Sequence, residues 1–352
     1  TGLVGDELDD GSLSESFWDF DRRTLSAARG QYAAFECGSI LPGNYMALSA
    51  ARFQADNVLA LLDGWSAEEV PNRTALMAEA AAYAGYSLVL LGEVMCSAAL
   101  DTGPELTRPE LWEAALDRFD RAAAAAESAG DTEIQNLVRV GQARALLNLG
   151  RLQEAGDLAA LVPEGFNVVA TFSDASARRQ NRLYTAMYRN PVATVSATYR
   201  DLDFEGVADP RVVVVDAGIS ANDGDVPLFQ PAKYGDVSSP ITVASWEEAQ
   251  LILAESLLAE GDASGAADIL SGLHTRAGLP AYGGGTAAEV EAHLVEERRR
   301  ELFLEGQRLN DMIRLDLELV PAPGEPFHRG GLYGDQLCFP LPDQERNNNP
   351  NI

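Results

Sequence analysis

The densest charge in the chain lies in EERRRELFLEGQRLNDMIRL, residues 296–315, where carboxylates and guanidinium groups interleave beside an apolar stripe. Two carboxylates can share acid–base work when one sits in a desolvated cleft and keeps its proton near neutral pH. Carboxylates this close to several arginines stay ionised instead, which points to bracing and away from catalysis. Read as one helix, the stretch continues a stripe of Leu294, Leu302, Leu309 and Ile313, flanked by Arg298, Glu301, Glu305 and Arg308. At three-residue spacing Glu301 and Glu305 reach Arg298 and Arg308, and Asp311 reaches Arg308 or Arg314. Together with Glu297, these residues are expected to form a structural ion-pair network at a helix junction.

Other reactive residue types are sparse. The histidines are His274, His293 and His328, and the cysteines are Cys37, Cys96 and Cys338. No two histidines stand at helical spacing and no C-x-x-C occurs, so neither a zinc nor an iron–sulfur site is expected. The cysteines leave two readings open: one disulfide and a spare thiol in an oxidising compartment, or three buried thiols in a reducing one. ANDGDVP (221–227) offers Asn222, Asp223 and Asp225 to a cation but lacks the closing glutamate of a calcium loop, and it reads better as a turn. Nucleophile-elbow, phosphate-loop, dinucleotide and H-E-x-x-H patterns are absent. No catalytic residue, metal or cofactor is expected, and the chain does not read as an enzyme.

Across 352 residues, 26 Lys and Arg face 54 Asp and Glu, a formal net charge of -28. Such a surface repels phosphate backbones and anionic headgroups, so nucleic acid is not an expected partner. The longest apolar run, AAAYAGYSLVLLG (80–92), is too short to span a bilayer, and no transmembrane segment is expected. The opening TGLVGDELDDGSL has no basic stretch ahead of an apolar core, so no signal peptide is legible.

The elements that must carry these residues are mostly helical. Residues 22–63 read as two helices broken at CGSILPGNY, the second stopped by Gly64. Ser66-Ala-Glu-Glu69 and Thr107-Arg-Pro-Glu110 both have the form of capping boxes. From 73 to 161 the chain is alanine-rich and helix-periodic, and a register recurs: Gly150, Ala155, Ala159 and Val162 share their offsets with Gly261, Ala266, Leu270 and Leu273. A third, split copy has Gly92 ending one helix and Ala115, Phe119 and Ala122 on the next. This predicts tetratricopeptide-like helical hairpins. The expected fold is mainly α, a single body with N-terminal helical hairpins (1–162), an irregular insert (163–244) with short strands near RVVVVDAG (211–218), C-terminal hairpins (245–315) and a loop-rich end (316–352).

EERRRELFLEGQRLNDMIRL resembles the C-terminal signature helix of the SusD/RagB outer-membrane nutrient-binding proteins, typically E-R-R-x-E-L-x-x-E-G-x-R-x-x-D-L-x-R. Glu297, Arg298, Arg299, Glu301, Leu302, Glu305, Gly306, Arg308, Asp311 and Arg314 match it, whereas Leu309 and Asn310 stand where the family usually has aromatics. The segment 241–280, ADPR (208–211), KY (233–234) and FPLPDQERNNNPN (339–351) are similar to further landmarks of that family. The resemblance implies a SusD-like α-superhelix and a non-catalytic protein, secreted or on the extracellular face of the bacterial outer membrane. It would capture an oligomeric nutrient, oligosaccharide or peptide, for a TonB-dependent transporter. Family members begin with a lipoprotein signal, a lipid-bearing cysteine and further helices, so this chain reads as one lacking the usual N-terminal segment. Capture of the implied kind needs aromatic planes beside polar groups, and the candidates outside the repeats are Trp18, Tyr45, Tyr199, Phe229, Tyr234 and Tyr333. The alternative is a structural use of the same repeat body, self-assembling or scaffolding, with itself as partner.

Overall fold

Polar side chains set many of the helix starts. In the computed structural model, which describes residues 1–27 and 43–352, the helices in chain order are α1 (Glu15–Asp21), α2 (Asn44–Gly64), α3 (Arg73–Val94), α4 (Arg108–Ala129), α5 (Thr132–Asn148), α6 (Leu152–Ala159), α7 (Arg182–Tyr184), α8 (Trp246–Ala259), α9 (Ala263–Arg276), α10 (Ala287–Glu301), α11 (Arg308–Arg314) and α12 (Asp343–Asn348). Thr107 and Thr286 close capping boxes with Glu110 and Glu289 at the starts of α4 and α10, while Asp131 and Ser245 cap α5 and α8. Each cap satisfies backbone N–H groups that the first turn leaves without partners. Ser66 and Glu69 make the same reciprocal bonds, but Pro71 follows too closely for a helix to continue, and α3 starts only at Arg73. The fold is mainly α, with a few short two-stranded ladders. Most of the first helix expected between 22 and 63, and Cys37, lie outside the described residues.

The chain divides into two compact units. One comprises Gly30–Val168, Ala244–Asp262 and Cys338–Ile352. Here α3 is the central helix, packed against α2, α4 and α5. It is long and apolar enough to cross a bilayer by length and composition, but most of its residues between Ala78 and Val94 are buried and serve as the core of this unit. Small residues let the helices approach: a Cβ on Gly85 would come within 2.6 Å of the Phe119 ring. The recurring register is real, since Ala155, Ala159, Val162, Ala266, Leu270 and Leu273 are all buried. Gly150 and Gly261, just past α5 and α8, take φ of 73° and 86°, which a glycine adopts without a Cβ penalty. Gly92 corrects the third copy, because it lies inside α3 with the Trp112 ring where its Cβ would be. It provides a close approach and does not end the helix. Cys96 and Cys338 form a disulfide, beside backbone bonds that join Val94 and Cys96 to Phe339.

The other unit comprises Thr1–Arg29, Val169–Val243 and Ala263–Leu337. Its strands are short: Leu8–Asp10 pairs antiparallel with Ala193–Val195, and Val214–Ser220 forms a hairpin with Pro227–Pro231, close to the strand expected at 211–218. A core of Leu8, Met187, Val195, Tyr199, Val212, Tyr234, Phe303 and Leu304 joins these strands to the end of α10. The stretch 296–315 departs from the single helix expected of it. Helix α10 ends at Glu301, a turn follows, and α11 begins at Arg308. Leu302, Phe303 and Leu304, which make this turn, are all buried. Leu304 and Gly306 take positive φ of 58° and 87°, and the Leu304 N–H donates to Glu7 Oε1 at 2.6 Å.

Two aspartates of this unit are buried and joined by a hydrogen bond. The Asp10 N–H donates to Asp21 Oδ2 at 2.7 Å, and burial pushes both side chains up to about 7. Asp223 and Asp9 add to the rise at Asp10 and Asp21 respectively, whereas the Ser12 hydrogen bonds, Arg329 and Arg23 oppose it. From about pH 8 to about pH 6 the unfolded chain keeps both groups ionised while the folded chain takes up protons. Stability therefore rises as pH falls and is lost as pH rises through about 7. Thermal unfolding should give the higher midpoint at the lower pH, with a smaller difference in Asp21→Asn. Equal midpoints in the wild type would refute this account.

Candidate functional site

The charged residues from 296 to 314 are paired, several of them with partners that are remote in sequence. Arg298 donates from Nε and Nη2 to the two oxygens of Asp311, both at 3.0 Å. Arg314 reaches Asp311 at 2.8 Å. Arg211 spans Asp209, Glu297 and Glu301 at 2.8, 2.5 and 2.8 Å. Lys233 donates to Glu305 Oε1 and to the Phe303 carbonyl, both at 2.8 Å, and Arg308 holds Asp6 at 2.7 Å. Burial alone would raise the Asp311 carboxyl, but Arg298 and Arg314 hold it down at about 2. Burial likewise works against the ionised Glu297, and His274 and Arg211 overcome it to lower its pKa. A group held ionised in this way cannot keep a proton for acid catalysis near neutral pH. A cleft of about 390 Å³ opens beside this brace, lined by Pro210, Val213 and Ala232 and by the already paired Arg211, Lys233, Glu301 and Glu305.

The candidate aromatic residues fall into three groups. Tyr45 is buried in the helical unit, its hydroxyl donating to the Ala99 carbonyl at 3.3 Å. Tyr199 and Tyr234 are buried in the core of the other unit. Tyr199 stacks on Phe303 at 5.0 Å with the Arg299 guanidinium 4.8 Å from its centroid, and Tyr234 donates to the Leu304 carbonyl at 3.1 Å. Phe229 packs against the same core, half-buried, under the Arg200 guanidinium at 3.7 Å. Trp18 and Tyr333 are also half-buried, and the fold brings their segments together. Arg22 and Arg23, just past α1, bond to the carbonyls of Gly330 and Gly334, and Arg23 lies 5.1 Å from the Tyr333 ring centroid. The aromatic side chains most open to solvent among the described residues are Phe53, Trp65 and Tyr83, at 53 %, 44 % and 44 % exposure. They lie on or next to repeat helices, and Phe53 falls off the Leu59 and Leu62 face of α2.

A further cluster was not legible as a site. His274 on α9 and His293 and Glu297 on α10 bring ligand-type atoms within 4.8 Å of one another. His274 Nε2 lies 3.0 Å from Glu297 Oε2 and 3.1 Å from His293 Nε2, while its Nδ1 lies 3.1 Å from the Pro280 carbonyl. Tyr282 stacks on His293 at 3.8 Å, and Phe204 meets His274 edge-on at 4.4 Å. Burial and the neighbouring His274 lower His293 to about 4. The signal in the sequence was the four-residue spacing of His293 and Glu297, since a search for paired histidines passes over a histidine–carboxylate pair. Asp223 is a turn residue, as expected: its Oδ1 accepts from the N–H groups of Asp225 and Val226, and Arg329 supplies its cation at 2.5 Å.

Residues 248–352 match the SusD family model. That C-terminal part of the chain is SusD/RagB-like. The solved structures it resembles include a SusD superfamily protein from Parabacteroides distasonis, with 13 % identity and a TM-score of 0.71 over 99 % of this chain and 90 % of that one. A SusD-like carbohydrate-binding protein from Bacteroides fragilis matches with 14 % identity and a TM-score of 0.71 over 100 % of this chain and 92 % of that one. Surface glycan-binding protein A from Bacteroides uniformis matches with 13 % identity and a TM-score of 0.66 over 99 % and 91 %. No curated protein matches the sequence. At these identities the likeness is one of fold.

The brace of this SusD-like chain draws on more than the matched region. Glu297, Arg298, Glu301, Glu305, Arg308, Asp311 and Arg314 lie within 248–352, but Asp6, Asp209, Arg211 and Lys233, which complete their pairs, lie outside it. Two of the short landmarks read from the sequence, ADPR and KY, thus supply groups to the same network.

Proposed function

We propose that the protein is a non-catalytic SusD-like subunit that works as one body, captures an oligomeric nutrient at the outer-membrane surface and passes it to a TonB-dependent transporter. Tetratricopeptide-like helix pairs would form the stiff support and the irregular unit the ligand face. The observation that carries this reading is the joining of the half-buried Trp18 and Tyr333 segments in that unit by Arg22 and Arg23. Aromatic planes beside fixed polar groups are what a sugar-binding face requires. The relatives of this fold described as carbohydrate-binding and glycan-binding favour an oligosaccharide over a peptide. The Cys96–Cys338 disulfide supports an oxidising compartment outside the cytoplasm.

Isothermal titration of the purified protein with α- and β-linked oligosaccharides and with oligopeptides tests the proposal. Saccharide binding is expected, weakened by about threefold to tenfold in Trp18→Ala and in Tyr333→Ala. Ordered polymers in the electron microscope, with no affinity for any saccharide or peptide, would replace it with the scaffolding reading.

A further inference from the structure

We propose that His274, His293 and Glu297 form a binding site for a divalent cation of the zinc class, which pins the connection between α9 and α10. The proposal does not depend on what the rest of the protein captures.

The proton positions make the argument. His274 Nδ1 faces the Pro280 carbonyl at 3.1 Å, and a carbonyl only accepts, so Nδ1 carries a hydrogen. In the neutral ring Nε2 is then a lone pair. That lone pair faces a carboxylate oxygen at 3.0 Å and the Nε2 of a second imidazole at 3.1 Å. With His293 Nε2 as the unprotonated nitrogen of its ring, three electron-rich atoms converge on one point and need positive charge between them. A metal ion satisfies all three at once, whereas a proton on His274 Nε2 must divide itself between two acceptors.

The spacing suits an ion. With bonds of ~2.05 Å, a tetrahedral zinc ion holds its ligands ~3.3 Å apart, and two of the three separations are within a few tenths of an ångström of that value. Two imidazoles and one carboxylate are a donor set that zinc favours, with the fourth position left to water. His293 is only half-buried, which gives that position access to solvent.

The surroundings resemble those that orient metal ligands. Pro280 fixes the tautomer of His274. Arg211 holds the Glu297 carboxylate through Oε1 at 2.5 Å and Oε2 at 3.2 Å, and its charge is also met by Asp209 and Glu301. Tyr282, stacked on His293, and Phe204, edge-on to His274, set the two ring planes. An ion here would join α9, α10 and the intervening segment that carries Pro280 and Tyr282.

The test is a zinc titration of chelator-stripped protein, followed by calorimetry, with His293→Ala as the variant because its side chain is the least buried of the three. One equivalent should bind, with affinity lower by at least ~100-fold in His293→Ala, and the thermal midpoint should rise with zinc in the wild type alone. Cobalt loading of the wild type gives a check that does not depend on the variant folding. Intense visible absorption of a tetrahedral ion supports the site, and a weak octahedral spectrum overturns it. No stoichiometric binding, or equal affinity in wild type and variant from scattered surface carboxylates, also overturns it.

Discussion

Arg144→Ala should lower the stability of its unit by about 3–5 kcal/mol. Arg144 makes a bidentate pair with Glu93, Nε to Oε1 at 2.7 Å and Nη2 to Oε2 at 2.5 Å, and its Nη1 lies 3.6 Å from Glu248. All three side chains are at most 5 % exposed. Removing the arginine leaves two carboxylates in the interior without the guanidinium that compensates them, and the cost of desolvating charge then falls on the folded state alone. The pair itself need not be worth that much, since water would have solvated both partners well. A second variant therefore carries the argument further: Arg144→Met combined with Glu93→Leu and Glu248→Leu should recover most of the loss. Urea unfolding measures both. A loss below about 1 kcal/mol in Arg144→Ala, or no recovery in the triple variant, would show that the cluster is better hydrated than its burial indicates.

Opening the Cys96–Cys338 disulfide should cost about 4 kcal/mol. The cysteines are 242 residues apart in sequence, so the bond closes a long loop and removes much freedom from the unfolded chain. In the folded state, other contacts hold the C-terminal segment in place. Phe339 exchanges backbone bonds with Val94 and Cys96, Arg346 pairs with Glu105 at 2.7 Å, and Asn349 donates to the Gly103 carbonyl at 2.8 Å. The reduced protein should consequently keep its helical circular dichroism while its denaturant midpoint falls. The double variant Cys96→Ala/Cys338→Ala should match the reduced wild type. If reduced and oxidised protein unfolded at the same denaturant concentration, the cross-link would not be restraining the unfolded chain.

The amino-acid order by itself determined the helical class and the repeated register of Gly150 with Ala155 and Gly261 with Ala266, and its late stretch of interleaved charge predicted ion pairing. These are local properties: side chains at helical spacing share a face, a glycine ends a helix where only it tolerates positive φ, and arginines near carboxylates keep them ionised. Tertiary structure alone decided which charges meet, because the partners of Glu301, Glu305 and Arg308 are Arg211, Lys233 and Asp6 from distant segments. Periodicity also could not show that the stretch breaks at Leu302–Leu304, where Leu304 and Gly306 take positive φ and the Leu304 N–H bonds to Glu7 from the far end of the chain. It likewise could not tell that Tyr45, Tyr199 and Tyr234 turn inward while Trp18 and Tyr333 stay half-open, because an aromatic ring suits a core and a binding face equally well. The meeting of His274 with His293 and Glu297 was hidden for a related reason. Spacing along one helix is written in the sequence, but the distance between two helices is set by everything packed between them.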